Sequence, residues 1–191
     1  MILKGLLYYF WGIIDIFYYN FTRLIALEKH YANKQNILRV RLTTYKGYDV
    51  ELSDGTKIKR NDKLIKIHLH NVRVLKETKK FKSELKKGKW IYQAVERSLP
   101  EVVLFIREHK KCEEIKGIIG ITMLDRVSQR LGFNAKEISN KYYRWFKWLL
   151  QFPILLMSTS NRSLRTIFRL QPNYLFMSKE KLFDKYDKLV R

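Results

Sequence analysis

Hydrophobic and polar positions alternate in short runs through the first part of the chain. In the stretch ILRVRLTTY (37–45), apolar side chains alternate with arginine and threonine, a period typical of a half-buried strand. The runs YDVEL and TKIK flank Asp54-Gly55, a strong hairpin signal, and LIKIHLHN follows after a second turn. We therefore predict four strands that form an antiparallel meander with one face in solvent.

The second half of the chain predicts several helices and two further strands. The spacing of Ser98 and Glu101 is that of a helix-capping pair, which predicts that SLPE divides two short helices. The runs IKGIIGITML and FNAKEI predict strands, and Ser178 is predicted to cap a last amphipathic helix that docks on the core. The expected fold class is α+β, with a small antiparallel or mixed sheet covered by several helices.

The segment GLLYYFWGIIDIFYYNF (5–21) is apolar except for Asp15 and its tyrosine hydroxyls. It is shorter than the roughly 20 apolar residues of a membrane span, and no small-residue cleavage site follows it. We predict a retained helix that lies on the domain or in the membrane surface, with a single span as the alternative. Residues 1–27 would then form this N-terminal helix and residues 28–191 a single α+β domain.

The stretch KYYRWFKWLLQFPILLMS (141–158) predicts an aromatic, basic helix, which Pro153 should bend or end. Its polar residues fall on a narrow stripe at helical spacing, and nearly everything else is apolar. This pattern suits both an interfacial helix and a core helix, so both interpretations stay open. The candidate membrane-binding residues are Trp11, Lys141, Arg144, Trp145, Lys147 and Trp148.

Charge narrows the choice of partner. The chain has 39 Lys and Arg against 18 Asp and Glu, a formal net charge of +21. Such an excess repels itself in a compact fold, which favours a polyanionic partner: nucleic acid, an anionic membrane surface or an acidic envelope glycan.

The His68-x-His70 pair lies in the run LIKIHLHN, where Lys66 and both histidines point away from the apolar side chains. A zinc site needs more ligands than this pair supplies, and Lys66 is an unfavourable neighbour, so we expect no metal and no cofactor. A cationic face that could hold a phosphate or carboxylate is the preferred interpretation, provided that the first and last of the four strands are close together. Solvated sheet residues, some covered by a helix, are the simpler alternative. The candidate ligand-binding residues are Arg39, Arg41, Lys66, His68, His70, Asn71 and Arg73.

Catalysis and nucleic-acid binding are alternative hypotheses. His68 and His70 could act as general acid and base, since imidazole titrates near neutrality, with Asp125 as a possible partner. Basic strands are compatible with single-strand recognition. However, the aromatic residues cluster in apolar helices, and no named recognition motif is present.

Four stretches together resemble the YkoP-like domain family of Bacillus-type bacteria: WGIIDIFYYNFTRL, the hairpin leading to IHLHN, RSLPEVV, and GITMLDRVSQRLGF. The resemblance covers most of the chain. It implies no reaction. It implies a context of envelope polysaccharide or lipid-linked glycan metabolism, because such domains occur alone or fused to polysaccharide deacetylase-like domains.

The leading hypothesis combines these observations. We expect an accessory, non-catalytic domain on the cytoplasmic, inner face of the bacterial membrane, which binds an anionic lipid or glycan-phosphate. An envelope-biosynthesis protein is a possible further partner. Electrostatic attraction to anionic lipids contributes about 1 kcal/mol per basic residue near the surface, so a few well-placed cations would be enough.

Overall fold

The computed structural model describes residues 24–123, 128–158 and 168–189 of the chain. The strands are β1 (Ile25–Ala26), β2 (Leu38–Thr44), β3 (Val50–Glu51), β4 (Lys57–Ile58), β5 (Lys63–Leu69), β6 (Ile115–Thr122), β7 (Asn134–Glu137) and β8 (Asn173–Ser178). The helices are α1 (Leu27–His30), α2 (Asn71–Thr78), α3 (Glu84–Glu108), α4 (Lys141–Ser158) and α5 (Lys179–Tyr186).

Six of these strands form a mixed sheet in the order β1-β2-β5-β6-β8-β7. Strands β5 and β6 pair in parallel, and the other described neighbours pair antiparallel. The predicted α+β class with a mixed sheet and several helices is confirmed.

The Asp-Gly hairpin forms a separate two-stranded sheet from β3 and β4. The predicted hairpin is confirmed, and Gly55 adopts a φ of 81° in its turn. Strand β2 pairs directly with β5 along its length, so the predicted four-stranded meander is wrong. The reason is burial: Leu52 and Ile58 of the hairpin are 4% and 1% exposed because the hairpin folds over the sheet and packs on Phe176.

Helix α3 covers the side of the sheet that we call the first face. Its residues Leu99, Val102 and Ile106 are 0% exposed and share one apolar core with Val40 and Ile65 of the sheet. Burial of each such side chain contributes roughly 1.5–3 kcal/mol relative to exposure. This apolar core fixes the position of β2 and β5. The candidate site lies on the opposite face of these two strands.

Helix α3 runs through Pro100 without interruption, so the prediction that SLPE divides two short helices is wrong. Ser98 makes tertiary contacts instead of starting a new helix. Its Oγ accepts a hydrogen bond from the backbone N–H of Ile37 at 3.1 Å and donates to the carbonyl of Ala94 at 2.7 Å. A proline inside a helix costs about 3 kcal/mol, and the packing of the same turn against the core offsets that cost.

A buried polar network, the Asn36–Glu101 network, joins the chain before β2 to α3. Asn36 is 2% exposed, and its Nδ2 donates to Oε2 of Glu101 at 2.6 Å, while Asn33 donates to the other carboxylate oxygen. Asn36 Oδ1 accepts from the N–H of Leu38 at 2.7 Å, at the start of β2. The polar atoms of Asn36 are therefore satisfied by partners, as buried polar groups must be.

The predicted last helix is confirmed as α5. Ser178 caps it, since its Oγ accepts a hydrogen bond from the N–H of Lys181 at 3.1 Å, and Leu182 and Tyr186 are buried in the main core. The Ser178 hydroxyl also donates to the carboxylate of Asp54 in the hairpin. The cap thereby helps to hold the hairpin over the sheet.

Among the helices within the described ranges, none is both long and apolar enough to cross a bilayer. The predicted N-terminal helix at 5–21, with Trp11, lies outside the described residues.

Candidate functional site

The side of the sheet away from α3, which we call the second face, carries basic residues on two neighbouring strands. The register places Arg39 directly opposite His68, and Arg41 directly opposite Lys66. The condition for a cationic face, that the first and last predicted strands are close together, is therefore met by direct pairing. Arg41 and Lys66 are like charges in directly opposite positions, and such pairs repel each other.

Helix α4 adds a further basic residue to this group. Lys147 is half-buried, and its positive charge acts on Lys66 and His68, while Arg41 acts on Lys147. Burial, and then the charge of Arg41, lowers the pKa of Lys147. We call Arg39, Arg41, Lys66, His68 and Lys147 the cationic cluster.

Burial and like charges also lower the pKa of both titratable residues of β5 in the cluster. Burial, followed by the charges of Lys147 and Arg41, lowers the pKa of Lys66 to about 8. Burial, followed by the charge of Lys66 and the other cations of the cluster, lowers the pKa of His68 to about 3. At pH 7 the imidazole of His68 is neutral and the ammonium of Lys66 is largely charged.

The other predicted ligand-binding residues lie at the start of α2, where they meet an acidic residue. Arg73 Nη1 is 2.7 Å from Oε2 of Glu28 and donates to the carbonyl of Asn36 at 3.0 Å. Nδ1 of His70 is 3.9 Å from the same carboxylate oxygen, and Asn71 is the first residue of α2. His70 and Arg73 therefore lie next to a negative charge. By contrast, the charges that lower the pKa of Lys66 are those of Lys147 and Arg41, which are positive.

The catalytic candidates have contrasting surroundings. At pH 7 the imidazole of His68 is neutral. It is therefore poorly suited to act as a general acid, a role that needs the protonated imidazolium. His70 has the carboxylate of Glu28 near it, but the 3.9 Å between Nδ1 and Oε2 is beyond hydrogen-bonding distance. Asp125 lies outside the described residues. Within the described part of the chain, no group of three His, Cys, Asp or Glu residues is arranged to hold a metal ion.

Helix α4 turns much of its apolar surface outward. Five large apolar side chains are exposed, from 39% to 87%, and we call them the exposed apolar face of α4: Tyr142, Trp145, Phe146, Leu149 and Leu150. The helix continues through Pro153 to Ser158, so this proline does not end it. A core helix would bury these apolar side chains. A surface helix in solvent would carry polar side chains at these positions. Helix α4 fits neither description.

A shallow open groove of about 390 Å³ lies along one side of α4. The ring of Trp148 is stacked on that of Phe168, with centroids 5.6 Å apart and an angle of 29° between the planes. Arg144 forms an ion pair with Glu137 of β7. The lining combines basic and aromatic side chains: Lys141, Arg144, Trp145, Trp148, Phe168 and Gln171.

The structure divides the predicted membrane-binding residues of α4 between two environments. Lys141, Arg144, Trp145 and Trp148 line the groove, whereas Lys147 belongs to the cationic cluster. The sequence grouped Lys147 with the membrane-binding candidates through its i+3 spacing from Arg144, and it gave no sign that the charge of Arg41 acts on Lys147. Sequence reasoning also missed Phe168 and Gln171, which carry no pattern of their own.

Comparison with known proteins finds a matching family and a similar protein from a bacterium. The family model described as YkoP domain matches residues 4–186. The chain is similar to the protein named Uncharacterized protein YkoP from Bacillus subtilis (strain 168), with 46% identity over 180 residues, which make up 93% of this chain and 94% of that protein. No solved structure matches the chain.

Proposed function

The chain belongs to the YkoP domain family, and because this membership fixes no reaction, we propose from the geometry that it is an accessory domain that docks on an anionic membrane surface through helix α4. The observation that carries the proposal is the exposed apolar face of α4. The proposed location is the inner face of the bacterial membrane, and the proposed ligand is the headgroup of an anionic phospholipid.

Aromatic side chains on this face suit the boundary between water and acyl chains. Trp145 is 63% exposed and Phe146 is 49% exposed, so both rings are available to a partner. An amphipathic helix that lies in the membrane plane inserts such side chains about 5–10 Å below the headgroups. Leu149 and Leu150 extend the apolar surface by a further helical turn.

Basic residues next to this face supply the attraction to anionic lipid. Lys141 and Arg144 line the groove beside Trp145, which places cationic and aromatic groups together. Each basic residue near an anionic leaflet contributes about 1 kcal/mol, and the net charge of +21 adds long-range attraction. The protein should therefore bind a neutral membrane more weakly, because only the apolar contacts would contribute.

Vesicle flotation tests the proposal. We expect the protein to float with vesicles that contain phosphatidylglycerol and much less with vesicles of phosphatidylcholine alone, and high salt should weaken the binding. The double variant Phe146→Ser and Leu149→Ser should bind anionic vesicles at least about tenfold more weakly, because it removes two apolar side chains from the contact.

Substitution of exposed apolar residues outside α4 tests whether a loss of binding is specific to that helix. Tyr48 and Leu85 are 75% and 86% exposed but lie on other parts of the surface, so Tyr48→Ser with Leu85→Ser should leave flotation unchanged. Equal binding to neutral and anionic vesicles would overturn the proposal, and so would an unaffected Phe146→Ser and Leu149→Ser variant. Tighter binding to single-stranded DNA than to anionic vesicles would favour the nucleic-acid alternative.

A further inference from the structure

We propose that residues 76–89, which we call the lysine segment, form a second contact with the anionic membrane surface and act there through charge alone. The segment comprises the end of α2, the connector that follows it and the first turns of α3. This inference rests on the proposed docking of α4. It goes further by locating a separate set of charges that recognises the lipid phosphates.

The lysine segment has a large excess of positive charge, with seven lysines and two glutamates. Glu77 is 3.3 Å from Nζ of Lys80, and Glu84 is 2.9 Å from Nζ of Lys87. The two glutamates balance two of the seven lysines, which leaves a formal charge of +5. The other five lysines are exposed: Lys76, Lys79, Lys82, Lys86 and Lys89. Clusters of about four to eight basic residues beside a membrane-bound helix are typical of binding to anionic lipids.

Helix stability does not explain the lysines at the start of α3. The N-terminus of a helix carries a partial positive charge, so acidic residues are favourable there and basic residues are not. Lys82 nevertheless precedes the N-cap residue Ser83, and Lys86 lies in the first turn. These lysines therefore weaken the helix end slightly, and an anionic partner outside the chain would offset that effect.

The fold holds the lysine segment next to α4. Helix α2 packs against both α4 and α3, so the segment begins on a helix that neighbours the proposed docking helix. Just outside the segment, Val74 of α2 and Trp90 of α3 share a small apolar cluster, which ties its two ends together. Two contacts held on one fold reinforce each other when both meet the same membrane.

The first turns of α3 extend beyond the apolar core. In the described part of the chain, the apolar clusters include residues of α3 from Trp90 onward and none from 84–89. Leu85 is 86% exposed and has Lys86 and Lys89 on the same side of the helix. The contact is electrostatic, so serine at position 85, which leaves every charge in place, should not weaken it.

An extended anionic surface is the ligand that these charges fit. The exposed lysines are spread along the whole segment, so a single small anion would contact only a few of them. Lysine ammonium groups are compact charges on flexible stems and need no fixed geometry. A leaflet rich in phosphatidylglycerol presents many separate phosphates, and the attraction acts over about 10 Å at 0.1 M salt.

Vesicle binding of the full chain tests the inference. The triple variant Lys82→Gln, Lys86→Gln and Lys89→Gln removes three exposed charges and keeps Leu85. We expect it to bind vesicles rich in phosphatidylglycerol about tenfold or more weakly than the wild type. The loss should shrink as the salt concentration rises. On vesicles of phosphatidylcholine alone, the variant should equal the wild type.

The matched control removes three exposed lysines near the other end of α3: Lys110→Gln, Lys116→Gln and Lys188→Gln. Lys110 and Lys116 follow this helix in the chain, and Asp187, next to Lys188, pairs with Arg107 at 2.6 Å. Helix α3 has 25 residues, so its ends are about 37 Å apart, well beyond the screening length. We expect the Kd of the control to stay within about twofold of the wild type. Equal losses in the two triple variants would overturn the inference, because binding would then follow net charge alone.

The same measurements separate the lysine segment from the docking of α4. Phe146→Ser with Leu149→Ser should weaken binding to neutral and anionic vesicles alike, whereas the lysine variant should weaken only the latter. If only the lysine variant loses binding, docking through α4 fails and the lysine segment is the membrane contact. If only the α4 variant loses binding, docking stands and the present inference fails.

Two further outcomes would overturn the inference. The first is clustering of anionic vesicles by the wild type that the lysine variant abolishes, since the lysine segment and α4 would then bind different vesicles. The second is tighter binding to single-stranded DNA than to anionic vesicles, abolished in the lysine variant, since the lysine segment would then serve a nucleic acid.

Discussion

Helices α3 and α4 are both amphipathic and both contain an internal proline, but they expose opposite sides. In α3, Leu99 and Val102 are 0% exposed against the first face of the sheet. In α4, Trp145 and Leu149 are 63% and 46% exposed, while Lys147 is half-buried. An amphipathic pattern defines two sides of a helix, and the surface opposite the helix decides which of them is buried.

The surfaces beneath the two helices differ in the same way. Beneath α3 lie an apolar core and the Asn36–Glu101 network, in which polar atoms have partners. Beneath α4 lies the cationic cluster, in which like charges are gathered. The apolar core and this network therefore stabilise the position of α3, whereas α4 leaves large apolar side chains exposed to a partner. Four measurements can sharpen or break this contrast.

The largest expected effect comes from matched leucine truncations. Leu99→Ala removes a fully buried side chain and should lower the free energy of unfolding by about 2–5 kcal/mol. Leu149→Ala removes an exposed side chain of α4 and should change it by less than about 0.5 kcal/mol. Urea unfolding of both variants measures the difference. Similar losses in the two variants would mean that α4 is buried as deeply as α3.

Amide hydrogen exchange compares the two helices within one protein. Amides in the central turns of α3 should open only with global unfolding, whereas those around Trp145 in α4 should exchange about 100-fold faster or more, because α4 buries fewer apolar side chains. Vesicles that contain phosphatidylglycerol should slow exchange in α4 and leave α3 unchanged. Equal protection of both helices without vesicles would contradict the contrast.

The polar network beneath α3 should contribute less than its apolar core. Asn36→Ala removes the hydrogen bonds of this side chain to Oε2 of Glu101 and to the N–H of Leu38, while Asn33 still donates to Glu101, so it should cost about 2 kcal/mol. Gln35→Ala, which changes the exposed neighbouring side chain, should cost less than about 0.5 kcal/mol. Chemical denaturation of the two variants measures both values, and a neutral Asn36→Ala would show that the network adds no stability.

The smallest expected effect is a pH dependence that arises beneath α4. The folded pKa of Lys66, about 8, lies below the value of an unfolded lysine, so the unfolded chain binds more protons between these two values. Stability should therefore rise with pH in this window. The penalty for keeping Lys66 charged is fully present below pH 8 and disappears as the side chain deprotonates.

Lys66→Met isolates this contribution. Between pH 8 and about 9.5, the wild type should gain about 1 kcal/mol relative to the variant. The raised pKa of Tyr186, caused mainly by burial, opposes the trend at higher pH and cancels in the comparison. Parallel stability curves for wild type and Lys66→Met would contradict a lowered pKa in the fold.

Strands β2 to β7, the fold class and the last helix could be predicted because they depend on local patterns, whereas the sequence analysis did not predict β1 or β8. Alternation within ILRVRL and IKIHLH is enough to place Arg39, Arg41, Lys66 and His68 on one side of their strands. The capping serine before α5 is likewise a local signal, read from one residue and the three that follow it.

The features that the sequence analysis predicted wrongly or missed depend on burial in the tertiary structure, which local sequence patterns do not specify. The hairpin satisfies its turn signal in either a meander or a separate sheet, and only the burial of Leu52 and Ile58 selects the latter. Ser98 has the spacing of a cap, but a long-range bond to Ile37 engages its hydroxyl. The place of Lys147 in the candidate site depends on the orientation of α4, which no periodicity within the helix specifies.

The position of β8 has a consequence for biosynthesis. This strand is the last along the described chain, yet it lies between β6 and β7. During synthesis from the N-terminus, β6 (IKGIIGIT) therefore has an open edge until residue 178 has been made. An apolar strand with an open edge readily pairs with other nascent chains. Pairing with β8 closes this edge and thereby removes a site at which β6 could pair with another chain.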